Sequence, residues 1–220
     1  MDLIQAMNQR HAVRSYTDKK IEGETAAQLQ NKIAEINEES GLKLQLVLNE
    51  EKAFGGRMAH YGHFVNVKNY VAAVGRKDEK LSEKVGYYGE KLVLFAQTLG
   101  LNTCWVALSY DKTEGNYSVD KGEKLALVIA IGYGSTQGVP HKSKQPQDVC
   151  KDFANSPEWF KNGVKAALLA PTAINQQKFS FELKGDKVIA KPGIGFYTKV
   201  DLGIAEYHFE LGAGKKIFNI

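Results

Sequence analysis

Cysteine is scarce in this 220-residue chain, with Cys104 and Cys150 alone and far apart. They provide neither a disulfide framework nor a cysteine-rich zinc site, which fits a reducing compartment. Proline is missing until residue 140, and all five prolines lie at or beyond that point. No apolar run approaches a membrane span, and the opening MDLIQAMNQR has neither a basic n-region nor an uninterrupted apolar h-region. The expectation is a cytoplasmic protein with no membrane partner. An excess of one charge is lacking too: 29 Lys and Arg face 25 Asp and Glu along the chain, so a nucleic-acid stripe is not indicated, although a local anion site stays open. Neither GxGxxG nor GxxxxGK[ST] occurs, which leaves the usual dinucleotide and nucleoside triphosphate cradles unsupported.

What is present is an ordinary globular composition, 43% apolar and 25% charged, sufficient for a sizeable core and against disorder. Helices and strands alternate along the chain. Residues 2–9 and 24–37 read as helices, the second with Ala26, Leu29, Ile33 and Ile36 on one face. KLQLVL at 43–48 and NYVAAV at 69–74 read as strands. Residues 82–99 place Val85, Leu92, Phe95, Ala96 and Leu99 at helical spacing before Gly100. KLALVIAIGYG at 124–134 reads as a strand covered on both faces.

VPHKSKQPQ, 139–149 with its flanks, resembles a surface connector between a first half, 1–138, and a second, 150–220. In the second half Ser156 and Pro157 suit a helix start, predicting a helix over 157–169. A hairpin through KGDK at 184–187 and a last helix near 200–213 follow. GEKLVLFAQTLG at 89–100 and GIAEYHFELGAG at 203–214 share glycines at both ends, which reads as a diverged duplication.

Two basic clusters carry the chemistry. RHAVRSY sets Arg10, His11 and Arg14 after the first helix, and HKSK sets Lys142 and Lys144 after the buried strand. Such clusters suit a dianionic phosphate, with arginine supplying paired donors and lysine a point charge. His60 and His63 in FGGRMAHYGHF at 54–64 have no further ligand cluster, so loop or core packing is preferred to metal.

RHAVRSYTDKKI at 10–21 resembles the opening motif of the FMN-dependent nitroreductase family. LVLFAQTLGLNTCWVAL at 92–108 is similar to its central helix and flavin-facing segment, IGYG followed by Lys142-Ser143-Lys144 to its closing strand and second basic pair, and APTAINQQ at 170–177 to its A-P-S-x-x-N-x-Q loop. The resemblance covers nearly the whole chain and implies a nitroreductase-like α+β fold of two related halves around central sheets flanked by helices. The first half lacks the proline-asparagine loop and the second lacks the arginine motif, as in the family branch whose single chain imitates a dimer; one FMN per chain follows, with a homodimer as the alternative.

Carried over residue by residue, the resemblance implies that Arg10, Lys142 and Lys144 hold the FMN phosphate and Arg14 meets flavin O2 and N1. His11 and Ala12 belong to the same segment. Pro171, Thr172, Ala173 and Asn175 would line the ribityl chain or ring edge, and Trp105, Val106, Ala107 and Leu108 would face N5 and O4. No side chain is assigned as catalytic, because the flavin carries the chemistry. Ala12 and Ala173 stand where the family often has small polar residues, so Tyr61 or His63 is a candidate to replace those contacts. The implied activity is ping-pong hydride transfer from NADH or NADPH through FMN to a nitroaromatic, quinone or similar small-molecule acceptor. The alternatives are an oxygen-using or flavin-fragmenting, dimethylbenzimidazole-synthase-like flavoprotein and a non-catalytic FMN-binding protein.

Overall fold

The computed structural model describes residues 1–112 and 116–220, and these form two compact units that are interleaved along the chain. One comprises Arg10–Leu81 and Leu92–Val139; the other comprises Met1–Gln9, Ser82–Lys91 and Pro140–Ile220. One boundary between the units falls between Val139 and Pro140. The inclusion of the first nine residues and of 82–91 with the C-terminal stretch depends on contacts far apart in the chain.

The first unit is built on an antiparallel four-stranded sheet. Its strands are β1 (Lys43–Val47), β2 (Tyr70–Arg76), β3 (Asn102–Val106) and β4 (Glu123–Gly132), in the order β1-β2-β4-β3. β2 is buried for all but its last residue, as β-branched and small residues allow in a strand covered on both faces. One face carries a core of Phe54, Phe64, Tyr70, Val106 and Val128 with Val13 and Tyr16. Helix α2 (Gly23–Ser40) buries Leu29, Ile33 and Ile36, the predicted apolar stripe, and ends on Gly41 in the left-handed region. Within the glycine-rich 54–64 segment a short helix α3 (Arg57–Tyr61) forms, which periodicity does not reveal over so few residues.

The second unit contains α1 (Leu3–Gln9), α6 (Glu158–Ala167) and α7 (Thr198–Ala213) with the hairpin β5 (Phe179–Lys184) and β6 (Lys187–Pro192). The 139–149 stretch is more than a connector, because its end forms the short helix α5 (Pro146–Val149), with Val149 and Cys150 buried. In β5, Phe179 and Phe181 point inward and Ser180 and Glu182 outward, as their alternation predicts. Phe181 stacks on Phe209 with ring centroids 4.7 Å apart. Helix α6 starts one residue later than expected: Pro157 is its N-cap, and the Ser156 hydroxyl donates to the Asp152 carbonyl instead of capping the helix.

Helix α4 (Leu81–Thr98) contributes its 82–91 stretch to this second unit, where it crosses α7 through two glycines. A Cβ on Gly86 would lie 2.1 Å from the Val200 carbonyl oxygen, and one on Gly203 would lie 2.0 Å from that of Glu83. The contact is reciprocal, pairing Gly86 with Gly203. The glycine that meets Gly203 thus lies three residues before Gly89, with which the sequence pattern aligns it. Terminal glycines are interchangeable in a sequence comparison, whereas backbone contact singles out one pair.

α7 is buried nearly all round, and it buries Asp201, Glu206, His208 and Glu210 with its apolar residues. His208 Nε2 lies 2.9 Å from Glu90 Oε1, both side chains fully buried. Glu210 accepts from the Tyr87 hydroxyl and from the backbone N–H groups of Ile217 and Phe218. Glu206 Oε2 has no hydrogen-bond partner among the described residues, and burial, with Glu83 and Glu210 adding like charge, pushes its carboxyl from 4.5 up to about 9. The folded chain thus keeps a proton that the unfolded chain releases above 4.5. That stabilisation is complete below 4.5 and is lost as pH rises through about 9. Glu206→Gln is expected to be about 1–3 kcal/mol more stable than the parent at pH 9, with the gap closing toward pH 5. Denaturant unfolding at both pH values tests this, and a gap of constant size would contradict it.

Candidate functional site

The residues singled out by sequence fall into two groups, one within each compact unit. In the first unit the 12–17 segment is pinned from several sides. Val13 N–H donates to the Thr103 carbonyl at 3.0 Å, Tyr16 N–H to Val65 at 3.1 Å, and Thr17 N–H to Tyr133 at 2.8 Å. Ala12 pairs in parallel with Thr103, so the segment runs beside β3. Val13 and Tyr16 are buried and Ala12 and Arg14 exposed, while Arg10 is buried at 3% exposure. The Tyr16 hydroxyl donates to the Val13 carbonyl at 2.7 Å.

Arg14 hydrogen-bonds Cys104 on β3, and Arg10 lies close enough to act on the thiol by its charge. Burial raises the Cys104 thiol, and the two guanidinium groups oppose that rise, Arg14 also by a hydrogen bond. Arg14 additionally sits 5.8 Å from the centroid of the Phe64 ring. His11 is half-buried, and its Cβ lies 2.8 Å from where a Cβ on Gly138 would be. Trp105 and Val106 are on β3, whereas Ala107 and Leu108 follow its end, Leu108 being 66% exposed. Tyr61 is 82% exposed, and His63 adopts φ 56° beside the buried Phe64.

In the second unit the APTAINQQ corner is a single 3-10 turn, Ala173–Asn175, in an unusual backbone conformation. Ile174, Asn175 and Gln177 all have positive φ, at 48°, 55° and 45°. A β-branched residue there is strained, so the surroundings must hold it. Gln177 does much of this. Its buried side chain donates to Lys142 O and Asn175 Oδ1 and accepts from the backbone N–H of Lys144 at 2.8 Å. Asn175 Nδ2 donates to Lys142 O at 2.9 Å, and Thr172 Oγ1 accepts from Gln177 N–H at 3.0 Å.

The turn is therefore knitted to the basic segment. Lys142 contributes its carbonyl to this network and exposes its side chain, while Lys144 Nζ donates to Gln177 O at 2.9 Å. Pro171, Thr172 and Ala173 are half-buried. Ala173 N–H donates to Asp201 Oδ1, and Asp201 is held well above the usual carboxyl range, at about 6, by its burial.

The sequence brings the arginine motif and the APTAINQQ loop with Gln177 into view, but not the part played by Cys104 and Asp201 nor the burial of Gln177. Cys104 sits in a strand whose register against residue 12 is invisible without the fold. Gln177 is the last residue of the loop motif, and its burial was not legible. Asp201 had a signal, as an acid within the apolar run VDLGIA.

Within the second unit, two lysines beside a threonine hydroxyl suit an anion better than a metal, as do the arginines within the first. Among the described residues no group of three or more His, Cys, Asp or Glu could hold a metal ion, and no helix is long and apolar enough to cross a membrane.

Comparisons with known proteins follow the same direction. Residues 2–213 match the model of a family described as "Putative TM nitroreductase". A "putative nitroreductase" structure from Thermotoga maritima superposes with a TM-score of 0.71 at 22% identity, covering 96% of this chain and 83% of its own. A "putative nitroreductase in complex with FMN" from Desulfovibrio desulfuricans gives a TM-score of 0.51 at 17% identity, over 67% of this chain and 94% of its own. A nitroreductase family protein from Streptococcus pneumoniae gives 0.53 at 15% identity, over 67% and 98%. At these identities the structures establish the nitroreductase-like fold. Among curated proteins no sequence matches.

Proposed function

Because the chain belongs to the TM nitroreductase family, we propose that it is an FMN-dependent oxidoreductase that takes electrons from NADH or NADPH and passes them to a nitroaromatic, quinone or similar acceptor. The observation that carries this reading is the pair of networks above: an arginine motif fastened along β3, and an APTAINQQ loop fastened to Lys142 and Lys144. The FMN bound in the Desulfovibrio relative supports the choice of cofactor.

FMN, when bound, supplies hydride acceptance and donation. Each residue of this chain then has a binding or electrostatic task. Arg10, Lys142 and Lys144 would neutralise the phosphate. Arg14 would set a positive charge by the pyrimidine edge, favouring the reduced anion and so tuning the potential. Thr172 keeps its hydroxyl hydrogen available while its oxygen accepts from Gln177, and it would donate to the ribityl chain. Trp105, Val106, Ala107 and Leu108 would flank the ring, and His11, Ala12, Pro171, Ala173 and Asn175 would shape the binding surface. Ala12 and Ala173 supply no side-chain donor. Backbone groups and Thr172 must therefore carry the polyol contacts, because the Ala173 N–H is already committed to Asp201.

The reciprocal glycine crossing supports a single chain that imitates a dimer and binds one FMN. Incubation with FMN, removal of free flavin and a visible spectrum provide the test. About one flavin per chain is expected, followed by oxidation of NADH or NADPH when a quinone or nitroaromatic is added. A protein that stays colourless overturns the reading. Bound FMN with no turnover reduces it to a flavin-binding role, and a flavin product other than oxidised FMN after aerobic turnover points to flavin-fragmenting chemistry.

A further inference from the structure

Asp201, Gln176 and Gly195 form an arrangement to which the activity above assigns no role. The Asp201 carboxylate, 3% exposed, accepts from Ala173 N–H at 3.0 Å through Oδ1 and from Gln176 Nε2 at 2.7 Å through Oδ2. The same Nε2 donates its other hydrogen to the Phe196 carbonyl at 2.6 Å. Gln176 Oε1 is turned to the opposite side, where a Cβ on Gly195 would come within 2.4 Å of it. One amide thus joins the 172–177 turn, the 193–197 loop and the first turns of α7.

We propose that Asp201 and Gln176 are a proton-operated latch, closed when Asp201 is ionised, that fixes the strained APTAINQQ turn against the 193–197 loop. The logic is one of donors and acceptors. Gln176 Nε2 faces two acceptors, a carboxylate oxygen and a carbonyl, which use both of its hydrogens. A proton on Asp201 turns one of its oxygens into a hydroxyl, a weaker acceptor whose hydrogen must find an acceptor of its own. On Oδ2 it weakens the bond from Gln176, and on Oδ1 the bond from Ala173. Rotating the Gln176 amide to receive the new hydrogen would turn Oε1 toward the Phe196 carbonyl, acceptor against acceptor, so protonation loosens the hold on one of the two segments.

The residues held by the latch support a role at the surface. The turn and the loop display Ile174, Ile194 and Phe196 at 88%, 94% and 77% exposure, and Ile174 and Tyr197 are held at positive φ. Strained backbone that presents exposed apolar side chains needs anchors; Gln177 is one, and Asp201, buried in α7, is a second. Burial raises its carboxyl from 3.8 to about 6, opposed by the two donors; no charged side chain contributes to the shift. Glu206, on the same helix, is shifted by Glu83 and Glu210. The nearby cations have partners of their own, Lys178 Nζ on the Ile194 carbonyl and Lys144 Nζ on that of Gln177.

The sign separates a latch from simple unfolding. A raised carboxyl stabilises the fold fully below 3.8 and loses that effect as pH rises through about 6, so acidification favours the fold at this residue while opening the latch. The test follows the Ala173 backbone amide and the Gln176 side-chain amide of the full chain, without FMN, by NMR between pH 7.5 and 4.8. Both signals are expected to move with one midpoint while the rest of the spectrum stays folded, and Asp201→Asn should abolish the movement. An Ala173 amide that does not titrate in this range overturns the proposal. Should Asp201→Asn fail to fold, Gln176→Met leaves Asp201 in place and removes both amide bonds; Ala173 should still titrate while the 193–197 signals lose their pH response. A pH response of 193–197 unchanged in Gln176→Met also overturns the latch.

The bearing on function rests on the FMN reading and is measured separately. From pH 7.5 to pH 5, FMN binding should weaken about tenfold more in the parent than in Asp201→Asn, the change common to both being protonation of the phosphate monoester at about pH 6. If no FMN binds at all, the functional reading fails, and the amide titration still decides the latch.

Discussion

A chain carrying both Arg10→Gln and Lys142→Ala is expected to emerge from FMN incubation colourless, with affinity reduced by at least ~100-fold, because each change would remove one of the proposed charge-assisted contacts to the phosphate, of about 1.5–3 kcal/mol. The two substitutions should differ in their side effects. Arg10 is buried at 3% exposure beside β3, so Arg10→Gln should also lower stability, whereas Lys142 is exposed and only its backbone carbonyl takes part in the turn network. Lys142→Ala should therefore leave unfolding unchanged while weakening FMN. Equilibrium dialysis together with thermal unfolding resolves the two effects. Undiminished binding in the double variant would remove the phosphate assignment and leave the fold untouched.

Gly203→Ala is expected to destabilise the protein by about 3 kcal/mol or more, the cost of forcing a side chain into a close-packed contact with backbone. The direction is the informative part, since alanine in a helix interior normally stabilises relative to glycine by about 0.5–1 kcal/mol. At Gly203 the added Cβ would lie 2.0 Å from the Glu83 carbonyl oxygen and 2.7 Å from the Tyr87 nitrogen, atoms that cannot turn aside as a side chain could. Gly86→Ala should behave alike, facing the Val200 carbonyl at 2.1 Å. Gly100→Ala is the contrast, because a Cβ there meets nothing within 4 Å and only its φ of 77° opposes the change. A cost near 1 kcal/mol is expected at that position. Urea unfolding of the three variants checks the ranking, and a Gly203→Ala protein as stable as its parent would refute the close crossing.

Much of the local structure was legible because it depends on neighbours in the chain. The stripe of Leu29, Ile33 and Ile36 predicts a helix with one buried face, and α2 buries those residues. Phe179, Phe181 and Leu183 alternate, and β5 turns them the same way, with Phe179 and Phe181 in the core. Where patterns are short, legibility fades. α3 and α5 are one turn or little more, below the length at which a period can be counted. Ser156 looks like a cap, yet its hydroxyl serves the preceding turn, since several acceptors lie within reach of one small side chain.

The sequence alone determined the α+β alternation, the two basic clusters and the APTAINQQ turn, because propensity, spacing and motif are properties of contiguous residues. Only the tertiary structure decided that residues 82–91 belong with 140–220, that Gly86 and not Gly89 is the partner of Gly203, and that Arg10 and Arg14 act on Cys104. It also decided how the buried acids of α7 are used: Asp201 anchors a strained turn, Glu210 gathers the C-terminal backbone, and Glu206 stays protonated. Those outcomes follow from burial and from which donors arrive beside a carboxylate; apart from the nearby C-terminal N–H groups at Glu210, these come from residues tens to more than a hundred positions away.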